Sequence, residues 1–265
     1  MERPQWITAD QLAGALTESG VPVGGIVMVH SRLSALPWVV GGVEGVLRAL
    51  LTATQGTIAA YAGWEDNPFH LAEWPEQRQA AYRAGLPPFD SAISEARRSH
   101  GRLPERIRTW PGAYRSAHPE MNLVAVGPQA GWLTESRYAD DPWGPGSPLA
   151  RLVEADATVL MLGAPLDSIT LIHHAERIAT AEPKRWATYE MPVSTDHGTV
   201  WQQFREIDTS AGAYDYAESN YLEAIAQSAL AAGIGRQADV FGADCHLFPA
   251  RPLVDHATTW IDERF

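Results

Sequence analysis

GIVMVHSRLSALPWVVGGVEGVLRALLTATQGTIAAY, running from Gly25 to Tyr61, decides the fold class. Its opening, Gly25-Ile-Val-Met-Val-His30, is a short apolar run of the kind a buried strand carries. After Ser31-Arg-Leu-Ser34 and the pair Gly41-Gly42, the apolar residues change period. Val43, Val46, Leu47, Leu50 and Leu51 fall on one face of a helix over 43–54. Thr57-Ile-Ala-Ala-Tyr61 is a second strand. Strand, Gly-containing loop, helix, strand is the βαβ order of a layered α/β domain.

Working outward, Thr8-Ala-Asp-Gln11 is a capping-box pattern and Gly20 a stop, which predicts a helix over 9–19. Residues 62–112 are rich in Pro, Trp, Arg and Glu with little periodicity. They read as an insertion of loops and short helices that carries substrate contacts. Strands return at Asn122–Val126 and at Thr158–Gly163, with a turn-rich loop, Pro142-Trp-Gly-Pro-Gly-Ser-Pro148, and a helix over 149–154 between them. Trp201–Ile207 reads as a strand and Tyr216–Ala232 as an amphipathic helix closed by Gly233. Leu253–Phe265 reads as a last helix or partly helical tail.

The chain has 265 residues, 45% of them hydrophobic, enough for a sizeable core. Its one cysteine, Cys245, excludes an intramolecular disulfide and a Cys-rich zinc site. The sequence has neither a signal-peptide pattern nor a bilayer-length apolar run, so a cytoplasmic protein without a membrane partner is expected. A net charge of −12 argues against a nucleic-acid surface and favours a cationic small substrate, although solubility alone also accounts for it.

The candidate chemistry centres on Thr170-Leu-Ile-His173-His-Ala-Glu176, just past the strand at 158–163. His173 and Glu176 are three apart and share a helix face, with Asp167 or Ser168 placed to cap that helix. A histidine beside a carboxylate suits proton transfer near neutral pH, though such a histidine is by itself more often structural. Gly41-Gly42 before a helix can present N–H groups to an anion, with Ser31 and Ser34 nearby. It is neither a P-loop nor a dinucleotide fingerprint. Arg115 and His118 read as a loop polar cluster, with Arg115 able to meet a phosphate. A metal hydrolase built on His173, His174, Glu176, Asp196 and His197 lacks a His-Glu-x-x-His motif, and no metal site is expected.

Five segments occur together in order: Val29-His30-Ser31-Arg-Leu-Ser34, Gly41-Gly42, Tyr114-Arg115-Ser116-Ala-His118-Pro119, Gly146-Ser147-Pro148, and Thr170–Glu176. Phe204-Arg-Glu-Ile-Asp208 and Cys245–Arg251 accompany them. In this the chain resembles the aminoglycoside 3-N-acetyltransferases, the non-GNAT antibiotic N-acetyltransferases. The resemblance implies one domain over 1–265 with a three-layer α/β/α fold around a mixed sheet. It implies acetyl-CoA as donor, a cationic 2-deoxystreptamine antibiotic as acceptor, and a monomer or homodimer. It places His173, Glu176 and His30 at the reaction. It assigns His30, Ser31, Arg32, Ser34, Gly41, Gly42, Arg115 and Ser116 to the coenzyme, and Glu65, Asp66, Glu206 and Asp208 to the acceptor. Arg32 and Asn122 stand where serines are common, and Pro37 where glycine is.

An ammonium cannot attack a thioester, so a base must first free the amine. His173 is the expected base, with Glu176 holding its ring or serving as a salt-bridge partner; Asp208 or Glu206 is the alternative for holding the ring. Direct attack without an acyl-enzyme is expected, with backbone N–H groups near Ser31 meeting the oxyanion. Cys245, in an apolar context, reads as a buried hydrophobe. An acetyltransferase for another amine and a non-catalytic relative that binds coenzyme A or an amino sugar are the alternative readings.

Overall fold

A computed structural model describes residues 4–135, 141–210, 212–216 and 221–265. The first elements are β1 (Trp6–Ile7), α1 (Ala9–Glu18), β2 (Ile26–Ser31), β3 (Trp38–Val39), α2 (Gly42–Thr54) and β4 (Thr57–Tyr61). Next come α3 (Glu76–Gly85), α4 (Leu103–Arg108), β5 (Tyr114–Arg115), β6 (Leu123–Val126), α5 (Ala130–Thr134), α6 (Pro148–Glu154) and β7 (Thr158–Leu162). Then follow α7 (Ile172–Ile178), β8 (Trp186–Thr195), β9 (Gly198–Ile207), α8 (Tyr221–Ala231), β10 (Arg236–Val240), β11 (Ala243–Pro249) and α9 (Ala250–Asp262).

Seven strands form one mixed sheet in the order β10-β11-β7-β2-β4-β6-β5. The inner three, β7, β2 and β4, run parallel, and antiparallel strands flank them on both sides. Alternation along β2 builds the layers. Ile26 and Met28 face one core with Met161 and Phe248, covered by α5 to α9. Val27 and Val29 face the other with Leu160 and Leu162, covered by α1, α2 and α4. This is the expected three-layer α/β/α arrangement around a mixed sheet.

Local signals acted as their chemistry dictates. Thr8 accepts from the Gln11 N–H at 3.2 Å, while the Gln11 side chain accepts from the Thr8 N–H at 2.9 Å, closing the capping box that starts α1. Gly41, with φ +89°, turns the chain into α2. Asp167 and Ser168 do not cap α7. They belong to a separate 3-10 turn, Leu166–Ser168, and the helix starts later, behind Leu171.

No strand is expected from the sequence at β1, β3, β5, β8, β10 or β11. β8 pairs with β9 along its whole length, from Trp186↔Ile207 to Thr195↔Gly198, and much of this ribbon is exposed. The strand expected at 201–207 is therefore the second half of a longer one. The last helix begins earlier than expected, at Ala250, because β11 feeds it directly. The helix expected over 216–232 is found from Tyr221; its residues 217–220 lie outside the described set.

Gly127 follows β6 with φ +127°, and a Cβ there would sit 2.3 Å from the Gly56 carbonyl and 2.7 Å from the Thr57 Cα. Both obstacles are backbone, so they cannot swing away. Gly127→Ala should destabilise the fold by about 2 kcal/mol or more. A lowered urea midpoint with unchanged m-value will show it, and an unchanged midpoint will refute it.

Candidate active site

Because β2, β4 and β7 are parallel, their carboxyl ends open on the same side, where ligands of open α/β sheets bind. A cavity of about 650 Å3 lies there. His30, Ser31, Arg32 and Ser34 line it after β2, Tyr61 ends β4, and the segment after β7 supplies Ala164 to His173. His100 and Arg102 close it from the insertion. Leu33, Ser34 and Arg102 also line a groove of about 290 Å3 that reaches Gly42 and Trp38.

His173 and Glu176 sit one turn apart on α7. Nδ1 of His173 is hydrogen-bonded to Oε2 of Glu176, whose side chain is fully buried. The carboxylate assigns the ring proton to Nδ1 and leaves Nε2 with the free lone pair. Tyr221, on α8, donates its hydroxyl to the other oxygen, Oε1. Trp143 packs edge-on against the His173 ring, with centroids 5.1 Å apart. His174 points away and meets the Trp143 carbonyl through Nδ1 at 2.6 Å.

The neighbouring histidines are kept neutral. Burial, with His100 and His173 nearby, lowers His30 to about 4, and its buried Nε2 has no partner among the described residues. Burial, with Arg97 next to it, also lowers His100 to about 4, while its Nδ1 meets the Ala62 carbonyl at 3.1 Å. Burial lowers His118 to about 3. Its Nδ1 accepts from the N–H groups of Glu120 at 3.2 Å and Met121 at 3.0 Å. His118 thus orients the backbone that carries Glu120.

Two acids lie behind Tyr61 and Trp143. Glu120 is buried, takes hydrogen bonds from Asn67 and from Arg97 at 3.2 Å, and burial raises its carboxyl. Glu206 on β9 accepts from the Tyr189 hydroxyl at 2.6 Å. Burial, reinforced by Glu120, pushes Glu206 up to about 8.

Comparison with known proteins places this geometry. The family model of the aminoglycoside 3-N-acetyltransferases matches residues 28–262. The chain belongs to the aminoglycoside 3-N-acetyltransferase family. It is 47% identical to aminoglycoside N(3)-acetyltransferase VIII of Streptomyces fradiae, over 97% of this chain and 93% of that protein. The crystal structure of aminoglycoside acetyltransferase AAC(3)-Xa superposes with a TM-score of 0.93 at 44% identity, covering 97% of this chain and 93% of that one. The AAC-IIIb binary complex with CoASH superposes at 0.91 with 38% identity, covering 98% of each chain.

In this acetyltransferase-family chain, the expected site residues divide into two groups. His30, Ser31, Arg32, Ser34 and His173 line the cavity, Glu176 backs His173, and Gly42 lies in the adjoining groove. Gly41 caps α2 beside that groove. Arg115 and Ser116 do not reach the cavity. Arg115 donates to Asn122 Oδ1 at 2.8 Å and to the carbonyls of Ser94 and Gly63, and Ser116 Oγ accepts from the Leu123 N–H at 3.0 Å. Glu65 accepts from the Arg98 N–H at 2.7 Å, and Asp66 is exposed. Asp208 folds onto Ser210, accepting from its N–H at 3.0 Å, whereas Glu206 is among the buried acids.

Cys245 is buried and its thiol is pushed up to about 11 by that burial, unlike an activated nucleophile. Among the described residues, no group of three or more His, Cys, Asp or Glu is arranged to hold a metal ion. The family sequence signals did not single out Tyr61, His100, Arg102, Glu120, Trp143 or Tyr221. Glu120 follows the His118-Pro119 cue, Trp143 lies in the loop before Gly146-Ser147-Pro148, and Tyr61 ends the strand begun at Thr57.

The raised Glu206 acid makes stability depend on pH. The folded state keeps its proton from the ordinary 4.5 up to about 8, while the unfolded chain loses it. Folded protein therefore binds more protons across that window, and stability falls as pH rises through it. Glu206→Gln removes this component. The Tm of the variant minus that of the parent should increase from about pH 5 to about pH 8.5; a constant difference would refute the assignment.

Proposed function

We propose that the chain moves the acetyl group of acetyl-CoA to the 3-amine of a 2-deoxystreptamine aminoglycoside, with His173 as general base. The observation that carries this reading is the fully buried Glu176 carboxylate on His173 Nδ1 beside the 650 Å3 cavity. Family membership supplies the reaction class, and the AAC-IIIb complex with CoASH supports the donor. Resistance follows, because acetylation removes a positive charge from the drug. The acceptor meets the donor in the cytoplasm, where acetyl-CoA is made.

His173 Nε2 takes a proton from the 3-ammonium, and Glu176 stabilises the resulting imidazolium. The free amine forms a bond to the thioester carbonyl carbon. The Arg32 N–H is already bonded to the Leu162 carbonyl at 3.0 Å and is not free for the oxyanion. His30 is neutral with an unpartnered Nε2, and as the Nε2–H tautomer it donates to that oxygen. Collapse breaks the C–S bond; the thiolate takes the proton held by His173, and the freed Nε2 takes the second proton of the attacking nitrogen and passes it to solvent, leaving the neutral amide. No acyl-enzyme is needed.

Coenzyme A carries phosphates that need cations. Arg32 and Arg102 are exposed on the cavity, and neither has an ion-pair partner among the described residues. With Ser31 and Ser34 they form the donor side. The acceptor's ammonium groups face the acids behind Trp143, Glu120 and Glu206, and the chain's net charge of −12 draws the polycation in. Binding of an ammonium beside Glu206 favours release of its proton.

Acceptor-dependent release of thiol from acetyl-CoA, with mass spectrometry locating one acetyl on the 3-amine, tests the reaction. His173→Ala should lower kcat by about 10²–10⁴-fold with the fold intact; a variant that keeps most of its kcat removes His173 as the base. Arg102→Ala should raise the KM for acetyl-CoA about ten-fold and leave the acceptor KM unchanged. An unchanged KM for acetyl-CoA would take Arg102 out of the donor site.

A further inference from the structure

We infer that Tyr221 is a positioning residue for the acyl transfer: its hydroxyl fixes Glu176 and, through Glu176, the ring of His173. This rests on the reading of His173 as the base. The hydrogen-bond directions follow from the donors available. The Ala213 N–H can only donate, and it reaches the Tyr221 oxygen at 3.0 Å. The tyrosine's single proton is then left for Glu176 Oε1, which it meets. Glu176 Oε2 is taken by His173 Nδ1. Each carboxylate oxygen has one side-chain donor, and the group has no solvent to supply another.

Without the tyrosine, only His173 among the described residues would hold the carboxylate against turning about its soft terminal torsion. Tyr221 is held in turn. A Cβ on Gly212 would lie 3.2 Å from the Tyr221 ring, and Tyr216 and Phe265 stand edge-on to it at 5.9 and 6.0 Å. The Tyr214 hydroxyl braces the same helix through the Glu176 carbonyl at 3.3 Å.

Removing the Tyr221 hydroxyl leaves Oε1 buried without its donor. The carboxylate then pulls harder on the proton at His173 Nδ1, and the imidazolium becomes harder to deprotonate. The other titratable groups around this pair stay in place: His30 beside His173, His100 on the same cavity wall, and Tyr214 beside Glu176, with Glu182 and Asp262 near Tyr214.

The test is Tyr221→Phe in the full chain, assayed across pH with acetyl-CoA and an aminoglycoside. Expected are a kcat lowered about ten-fold or more, both KM values within about two-fold of the parent, and an acid limb of kcat/KM moved to higher pH. An unchanged kcat, or a loss that only tracks the folded fraction with the pH profile in place, overturns the proposal. Where Tyr221→Phe fails to fold, 3-fluorotyrosine at this position keeps the shape and alters hydroxyl acidity. A displaced acid limb then supports the proposal, and an unmoved one overturns it. In a His173→Ala background, Tyr221→Phe should cost nothing further; a full additional loss overturns it. If His173→Ala itself keeps its kcat, the base reading falls and this inference with it. If His173→Ala loses its kcat and Tyr221→Phe does not, only the inference falls.

Discussion

Parallel strands cannot be joined by a tight turn, and this constraint shapes everything around the site. β2, β4 and β7 lie side by side and run the same way, so the chain must leave the sheet and cross over a face between them. The crossover from β2 to β4 supplies α2 on one face. The chain between β4 and β7 supplies α5 and α6 on the other, where α7, which follows β7, joins the same core. Helices on both faces then bury both sides of the strands, and the three carboxyl ends open together. His30, Tyr61 and His173 share one cavity because of strand direction, although they are far apart in sequence.

Burial acts differently on each ionisable group near that cavity, and the available donors decide the outcome. Glu176 has a donor for each oxygen, from His173 and Tyr221. An unpaired buried charge costs several kcal/mol, and a hydrogen bond to a charged group returns about 1.5–3, so a single partner would not suffice. Glu206 has one donor and a neighbouring acid, and holds its proton to about 8. Among the described residues His30 and His118 have no carboxylate partner, and both stay uncharged. The His173–Glu176 pair and the neutral hydrogen-bonding groups are therefore separated by environment within one small volume.

How much of this was legible varied with the range of the interaction. The capping box of α1, the Gly41 turn into α2, and the His173–Glu176 spacing are all local, and each was readable from a few adjacent residues. The ribbon β8–β9 was half missed, because an exposed two-stranded element lacks the continuous apolar run that marks buried strands. Tyr221 lies 45 residues from Glu176 and nothing local marks it. Arg115 is the opposite case. Its type suited a phosphate, but the fold surrounds it with acceptors first. A side chain's chemistry is legible in sequence, whereas competition for its donors is settled only in three dimensions.

Arg115 also has a wider consequence. Its guanidinium grips the carbonyls of Gly63 and Ser94, the two ends of the excursion that holds Asn67, α3 and Phe89. Arg108 adds a bond to the Ala92 carbonyl at 2.7 Å, close to the same exit. The excursion is therefore a loop fastened at its base, as a handle is fastened to a cup. Its interior can lengthen, shorten or change composition while entry and exit stay fixed on the sheet. A protein built this way can vary the excursion while leaving the His173–Glu176 pair undisturbed.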